Sequence, residues 1–197
     1  MAGSRRVEAD RSKAKVLVVG DRGVGKRSLV RRTAIDPIDD LYVDTMGAKV
    51  SKKEIILPVR LRDGTYLDMI LWTVQEPALR GRGRAFAHGS VGMLAVCDTT
   101  RRETLGHLGD FIRIVYEVAG KIPIVVAANK WDLADQRQIP EADIRHFTDP
   151  RETEWFLTSA MTGQNIDLAF QALGERIVES RRAKFTDGRG HDEPGKG

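Results

Sequence analysis

The sequence predicts a doubly wound α/β domain: six strands in a mostly parallel sheet, one antiparallel hairpin at the edge, and helices on both faces. Three observations carry this expectation. An apolar strand, Val16-Leu17-Val18-Val19, runs straight into the glycine-rich turn Gly20-Asp21-Arg22-Gly23-Val24-Gly25-Lys26, and a helical pattern follows from Ser28 to Ala34. Strand-length apolar runs then alternate with helix-length segments along the chain. Finally, Arg62-Asp63-Gly64-Thr65 separates two such runs, and Asp-Gly favours a tight hairpin turn.

In order, the expected strands lie near 14–20, 48–57, 66–73, 90–97, 123–129 and 154–159, and the helices near 25–34, 101–119, 140–147 and 164–181. Ligand-binding loops of such a sheet gather at the carboxyl ends of its parallel strands. Residues 14–181 form the expected domain, with disordered tails at 1–13 (basic) and 182–197.

With 197 residues and 41% apolar content, one α/β core is expected. The longest apolar runs are strand-sized, so neither a signal peptide nor a membrane span is expected. Lone Cys97 ends the strand Met93-Leu94-Ala95-Val96-Cys97 and reads as a buried core thiol in a reducing, cytoplasmic setting. The formal charge of +4 sits in the tails: residues 1–15 carry five basic and two acidic side chains, residues 181–197 five and three. The body is then nearly neutral, which argues against nucleic acid as a partner. Ala2 and the absence of a C-terminal cysteine motif argue against a stable lipid anchor. His88, His107, His146 and His191 show no metal-ligand spacing and read as surface or loop residues.

A glycine-rich turn between strand and helix binds phosphate because glycines let successive backbone N–H groups face one concavity. The helix N-terminus adds partial positive charge, and the lysine reaches the outer phosphates. Asp21, Arg22, Gly23, Val24, Gly25, Lys26, Arg27 and Ser28 make up this segment. The pattern calls for Ser or Thr after the lysine, to ligate Mg²⁺; Arg27 stands there. A second nucleotide signature ends the apolar run Pro123-Ile124-Val125-Val126-Ala127-Ala128: Asn129-Lys130-Trp131-Asp132. At a strand's carboxyl end, Asp132 accepts two hydrogen bonds from the N1–H and amine of guanine while Asn129 contacts the N7 edge. Adenine offers the opposite pattern, and such mismatches discriminate by about four orders of magnitude or more. A third element, Trp155-Phe156-Leu157-Thr158-Ser159-Ala160, delivers Ser159 and the Ala160 N–H to the guanine carbonyl.

These motifs, in this order across roughly residues 14 to 180, resemble the small GTPases of the Ras superfamily, and most of all the Rab branch. The resemblance implies a P-loop NTPase G domain that binds GTP and GDP with Mg²⁺. Tyr42 and Thr45, in Tyr42-Val43-Asp44-Thr45-Met46-Gly47, look like switch I, with Thr45 a ligand of the metal and the terminal phosphate. Leu71-Trp72 looks like the entry to switch II, and Thr158-Ser159-Ala160-Met161-Thr162-Gly163 like the last guanine motif. Regulators and effectors would then meet the chain through residues 36–47 and 73–89.

The departures from the family pattern bear on the chemistry. An inward Arg27 about 4 Å from Mg²⁺ would be repelled by about 8 kcal/mol at an effective dielectric near 20. Either the arginine swings outward and water replaces the hydroxyl, or the guanidinium itself neutralises the phosphates. Ser28 is one helical position off and faces away. Arg22 stands where small side chains leave room for the attacking water; it reads as a brake rather than as a transition-state finger. Switch II should read Asp-x-x-Gly-Gln, yet the chain has Trp72-Thr73-Val74-Gln75-Glu76-Pro77, where Gln75 aligns with the water-orienting glutamine only across a deletion. The stretch Leu79-Arg80-Gly81-Arg82-Gly83-Arg84 reads as a mobile cationic loop, since each interior glycine costs a helix about 1 kcal/mol. Met161 replaces the lysine that covers the guanine ring, and Ile38 an aromatic that stacks on it. Two functions stay open: a slow GTPase switch with Lys26 and Gln75 as its catalytic residues, or a pseudo-GTPase scaffold with little magnesium dependence.

Overall fold

The computed structural model describes residues 11–33, 43–45, 48–50, 55–60, 64, 66–74 and 82–187. Its strands are β1 (Arg11–Val19), β2 (Val43–Thr45), β3 (Ala48–Val50), β4 (Ile55–Arg60), β5 (Tyr66–Thr73), β6 (Gly92–Asp98), β7 (Ile124–Asn129) and β8 (Glu154–Leu157). Its α-helices are α1 (Lys26–Thr33), α2 (Glu103–Ala119), α3 (Glu141–Thr148) and α4 (Ile166–Asp187). The main sheet runs β4-β5-β1-β6-β7-β8, and β2 pairs with β3 apart from it. Pairing is parallel from β5 through β8, while β4 lies antiparallel on β5, with Ile55 opposite Leu71 and Arg60 opposite Tyr66.

The strand sequences explain their burial. β6 and β7 are apolar without alternation and are buried along their whole length, as a strand covered on both faces must be. Successive residues feed two cores on opposite faces. Val16, Val18, Leu94, Val96, Val125 and Ala127 pack with Leu29 and Val30 of α1 and with Phe170, Leu173 and Ile177 of α4. Leu17, Val19, Met93, Ala95, Val126 and Ala128 face Leu108, Phe111, Ile112 and Val115 of α2 and Ile144 of α3. Among the described residues Phe111 and Phe170 are the largest fully buried side chains; truncating either to alanine would cost about 3–5 kcal/mol.

The structure differs from the sequence reading at four places. β1 starts at Arg11, because residues 11–13, assigned to the tail, pair with Tyr66, Leu67 and Asp68 of β5. α4 continues to Asp187, six residues beyond the expected domain end, so part of the assigned tail is helical. Arg82–Ala87 form a 3₁₀ helix that takes in the last three residues of the expected cationic loop. Buried Ala87 and Phe86, tilted on Trp72 with ring centroids 6.1 Å apart, give that turn apolar contacts that offset its glycine. The single strand expected at 48–57 supplies β3 and β4, which belong to different sheets. Among the described residues no helix is long and apolar enough to cross a membrane.

The chain's switch of direction falls at β1, flanked by β5 on one side and β6 on the other. Such a crevice at the carboxyl ends is where doubly wound sheets take ligands.

Candidate functional site

β1 delivers the glycine-rich loop to this crevice, and close packing explains two of its glycines. Gly20 has φ +143°, and a Cβ there would stand 2.1 Å from the Val96 carbonyl oxygen. Gly25 has φ +101°, and its Cβ would meet the Asn129 amide nitrogen at 2.2 Å. Only glycine lets the loop fold back against β6 and β7. Lys26, 6% exposed, spans the loop from within: its Nζ donates to the Gly20 carbonyl at 2.6 Å and to that of Asp21 at 2.7 Å. α1 begins at this lysine, with no acidic residue in its first turn, and its N-terminus brings partial positive charge to the loop.

β7 brings Asn129 to the same place. Its Nδ2 donates to the Val24 carbonyl at 2.8 Å; its Oδ1 accepts from the Ala160 N–H at 3.1 Å and from Thr158 Oγ1 at 3.4 Å. One buried side chain therefore ties the phosphate loop to the segment after β8. Asn129, 1% exposed, thus acts as a brace, and its Oδ1 also engages the Ala160 N–H. Ser159 is buried and its Oγ accepts from the Thr162 N–H at 3.0 Å. Lys130 takes a left-handed backbone (φ +66°), the Trp131 N–H donates to the Thr158 carbonyl at 3.0 Å, and Asp132 is exposed in the turn beyond. Met161 is 78% exposed at the rim.

Asp98, at the end of β6, joins these parts and was not singled out from the sequence. Its carboxylate is fully buried and meets Lys130 Nζ at 2.6 Å, Thr100 Oγ1 at 2.7 Å, the Thr100 N–H at 3.0 Å and Arg101 Nε at 3.1 Å. Burial alone would raise its pKa, but the hydrogen bonds from Lys130 and Thr100 outweigh it and hold the carboxyl below its usual range. His107, read from the sequence as a surface residue, reaches from α2 to the loop: its Nδ1 lies 2.7 Å from Asp21 Oδ2. Asp21 is 7% exposed. The sequence held one signal for Asp98, a carboxylate ending an apolar strand at the ligand edge; His107 had none.

The metal side is differently furnished. Arg22, Arg27 and Ser28 are exposed. β5 ends in Trp72 and Thr73. Thr45 closes β2 opposite Ala48, but its side chain lies outside what is described, as do Gln75, Glu76, Ile38, Tyr42 and most of residues 36–47 and 75–81. The turn at 62–65 is described only at Gly64. Among the described residues no group of three or more His, Cys, Asp or Glu is arranged to hold a metal. The ensemble is a glycine-rich turn, a buried lysine and a helix N-terminus, chemistry suited to a phosphate chain.

Comparison with known proteins agrees. The model of the Ras family matches residues 15–179. Ras-related protein RABA4a of Arabidopsis thaliana is 30% identical over 161 residues, covering 81% of this chain and 69% of its own length. Ras-related protein Rab-22A of Mus musculus is 29% identical over 178 residues, 89% of either chain. Ras-related protein Rab-4A of Rattus norvegicus is 29% identical over 166 residues, 83% and 74%. With its phosphate loop, its guanine-type segment and this match across most of its length, the chain belongs to the Ras family and is a Rab-like small GTPase.

Proposed function

We propose that the protein is a slow guanine-nucleotide switch, binding GTP and GDP and hydrolysing GTP at a low intrinsic rate. The observation that supports this most is the bracing of the site: Lys26 and Asn129 together hold three carbonyls of the phosphate loop, so its amides are set before any ligand arrives. Preorganised donors cost no rearrangement on binding. Asp132 reads the guanine edge, with Ser159 and Ala160 closing the base site from β8. Regulators and effectors meet the chain through 36–47 and 73–89.

Ras-family proteins generally hold Mg²⁺ beside the phosphates. The donors described here do not fit that ion: Arg27 stands in place of the hydroxyl, β5 ends without a carboxylate, and the oxygens of Asp98 are committed to Lys130, Thr100 and Arg101. Thr45 is the one family-type ligand left in the sequence. This favours, as a second reading, a scaffold that binds guanine nucleotide with little magnesium dependence and cleaves it poorly. Single-turnover hydrolysis of bound GTP separates the two. Slow but measurable phosphate release, lost in Gln75→Ala, supports the switch; release no faster than from free GTP leaves the scaffold.

A further inference from the structure

Arg101, in the turn between β6 and α2, touches both halves of the site. Its Nε donates to Asp98 Oδ2 at 3.1 Å and its Nη2 to the Arg22 carbonyl at 2.9 Å. Two engaged nitrogens fix the plane of a guanidinium, and Asp98 is itself held by Lys130 and Thr100. The Arg22 carbonyl and the Gly23 N–H belong to one peptide unit, which is planar and trans, so they point to opposite sides of the chain. Holding the carbonyl toward Arg101 therefore turns the Gly23 N–H away from it, toward the inner side of the loop. Lys26 fixes the carbonyls of Gly20 and Asp21 from within the loop, which turns the N–H groups of those peptide units outward, and Asn129 fixes the Val24 carbonyl. The Arg22–Gly23 unit lies between these clamps. Gly23, with φ +81°, has nothing closer to a hypothetical Cβ than Arg101 Nη2 at 3.9 Å, so steric crowding does not set its orientation.

We propose that Arg101 is a positioning residue for the outer phosphates: it presents the Gly23 amide to them and, through Asp98, couples that amide to Lys130 beside the base. This rests on the guanine-nucleotide reading above. A chain that has lost its metal-binding hydroxyl gains from a fixed amide at this point, because the amide carries part of the phosphate charge.

The test compares GDP and GMP affinities of nucleotide-free wild type, Arg101→Ala and Arg101→Lys by titration calorimetry, with competition for the weaker ligand. Arg101→Ala is expected to lose roughly tenfold or more for GDP while GMP affinity holds, the scale of one charge-assisted hydrogen bond. Arg101→Lys keeps a donor for one of the two oxygens and should fall between. Equal losses for both nucleotides, as general loosening would give, overturn the proposal, and so does an unchanged GDP affinity. Should the alanine variant melt early, the lysine variant decides: a GDP-to-GMP ratio equal to that of wild type overturns it. Wild type that binds no GDP would instead sink the guanine reading, and Arg101's role with it.

Discussion

The base side and the metal side of the crevice are held by different means. On the base side, Lys26, Asn129 and Asp98 are buried and each makes two or more polar contacts within the protein. On the metal side, Arg27 and Ser28 are exposed and β5 ends in Trp72 and Thr73. A buried polar network tolerates few substitutions, because each lost partner strands another group at about 1–3 kcal/mol. Exposed positions carry no such penalty. The frame that holds the phosphate loop against the base segment is therefore built into the fold, whereas the metal-side positions are side chains that can change without unfolding it.

The largest expected effect lies on the base side. Asp132→Asn exchanges an acceptor for a donor against the guanine edge and should weaken GDP binding by about 10³-fold or more, with the thermal midpoint unchanged because Asp132 is exposed. Direct titration and a melt in parallel check this; unaltered affinity would erase the contrast between the two sides. Asn129→Ala should lower stability by about 2–4 kcal/mol even without ligand, since the Val24 carbonyl and the Ala160 N–H both lose their partner. Denaturant unfolding measures it, and a loss under about 0.5 kcal/mol would mean the brace is ornamental.

Arg27→Ser probes the other side. Restoring a hydroxyl should make GDP binding several-fold more sensitive to EDTA than in the parent, at little cost in stability for an exposed residue. Equal EDTA sensitivity would show that the residue plays no part in metal binding. Asp98 gives a pH dependence. Its folded pKa lies below the unfolded value, so the stability it brings is complete above about pH 4 and is lost as pH falls through the lower folded value. Acid unfolding of Asp98→Asn should accordingly be flatter below about pH 4 than that of the parent. The smallest effect concerns Cys97, whose thiol burial pushes up to about 12. Thiol reagents at neutral pH should label it only in denaturant; rapid labelling of folded protein would contradict its place in the core.

The parts legible in the sequence were those with local patterns. Val16 to Val19 and Ile124 to Ala128 announce buried parallel strands by apolar continuity, and Gly20 to Lys26 a phosphate loop by glycine spacing. Illegible were the contacts that only the sheet order creates. Asn129 meets Val24 across 105 residues, and His107 meets Asp21 across 86. No periodicity encodes such pairs; they follow from the sheet order, which sets β6 beside β1 and β7 beyond it. The bracing role of Asn129 is of this kind. So is the 3₁₀ turn at Arg82–Ala87, where packing of Phe86 and Ala87 overrides the local preference of glycine.

The most direct measurement is calorimetric titration of nucleotide-free protein with GDP, GTP and ATP, each in Mg²⁺ and in EDTA. Tight binding of both guanine nucleotides and none of ATP is expected, because the fold braces the phosphate loop and Asp132 reads guanine. ATP binding comparable to that of GTP, or no binding of either guanine nucleotide, would contradict the account at its centre. Within the expected result, collapse of binding in EDTA selects the magnesium-dependent switch, and indifference to EDTA selects the scaffold.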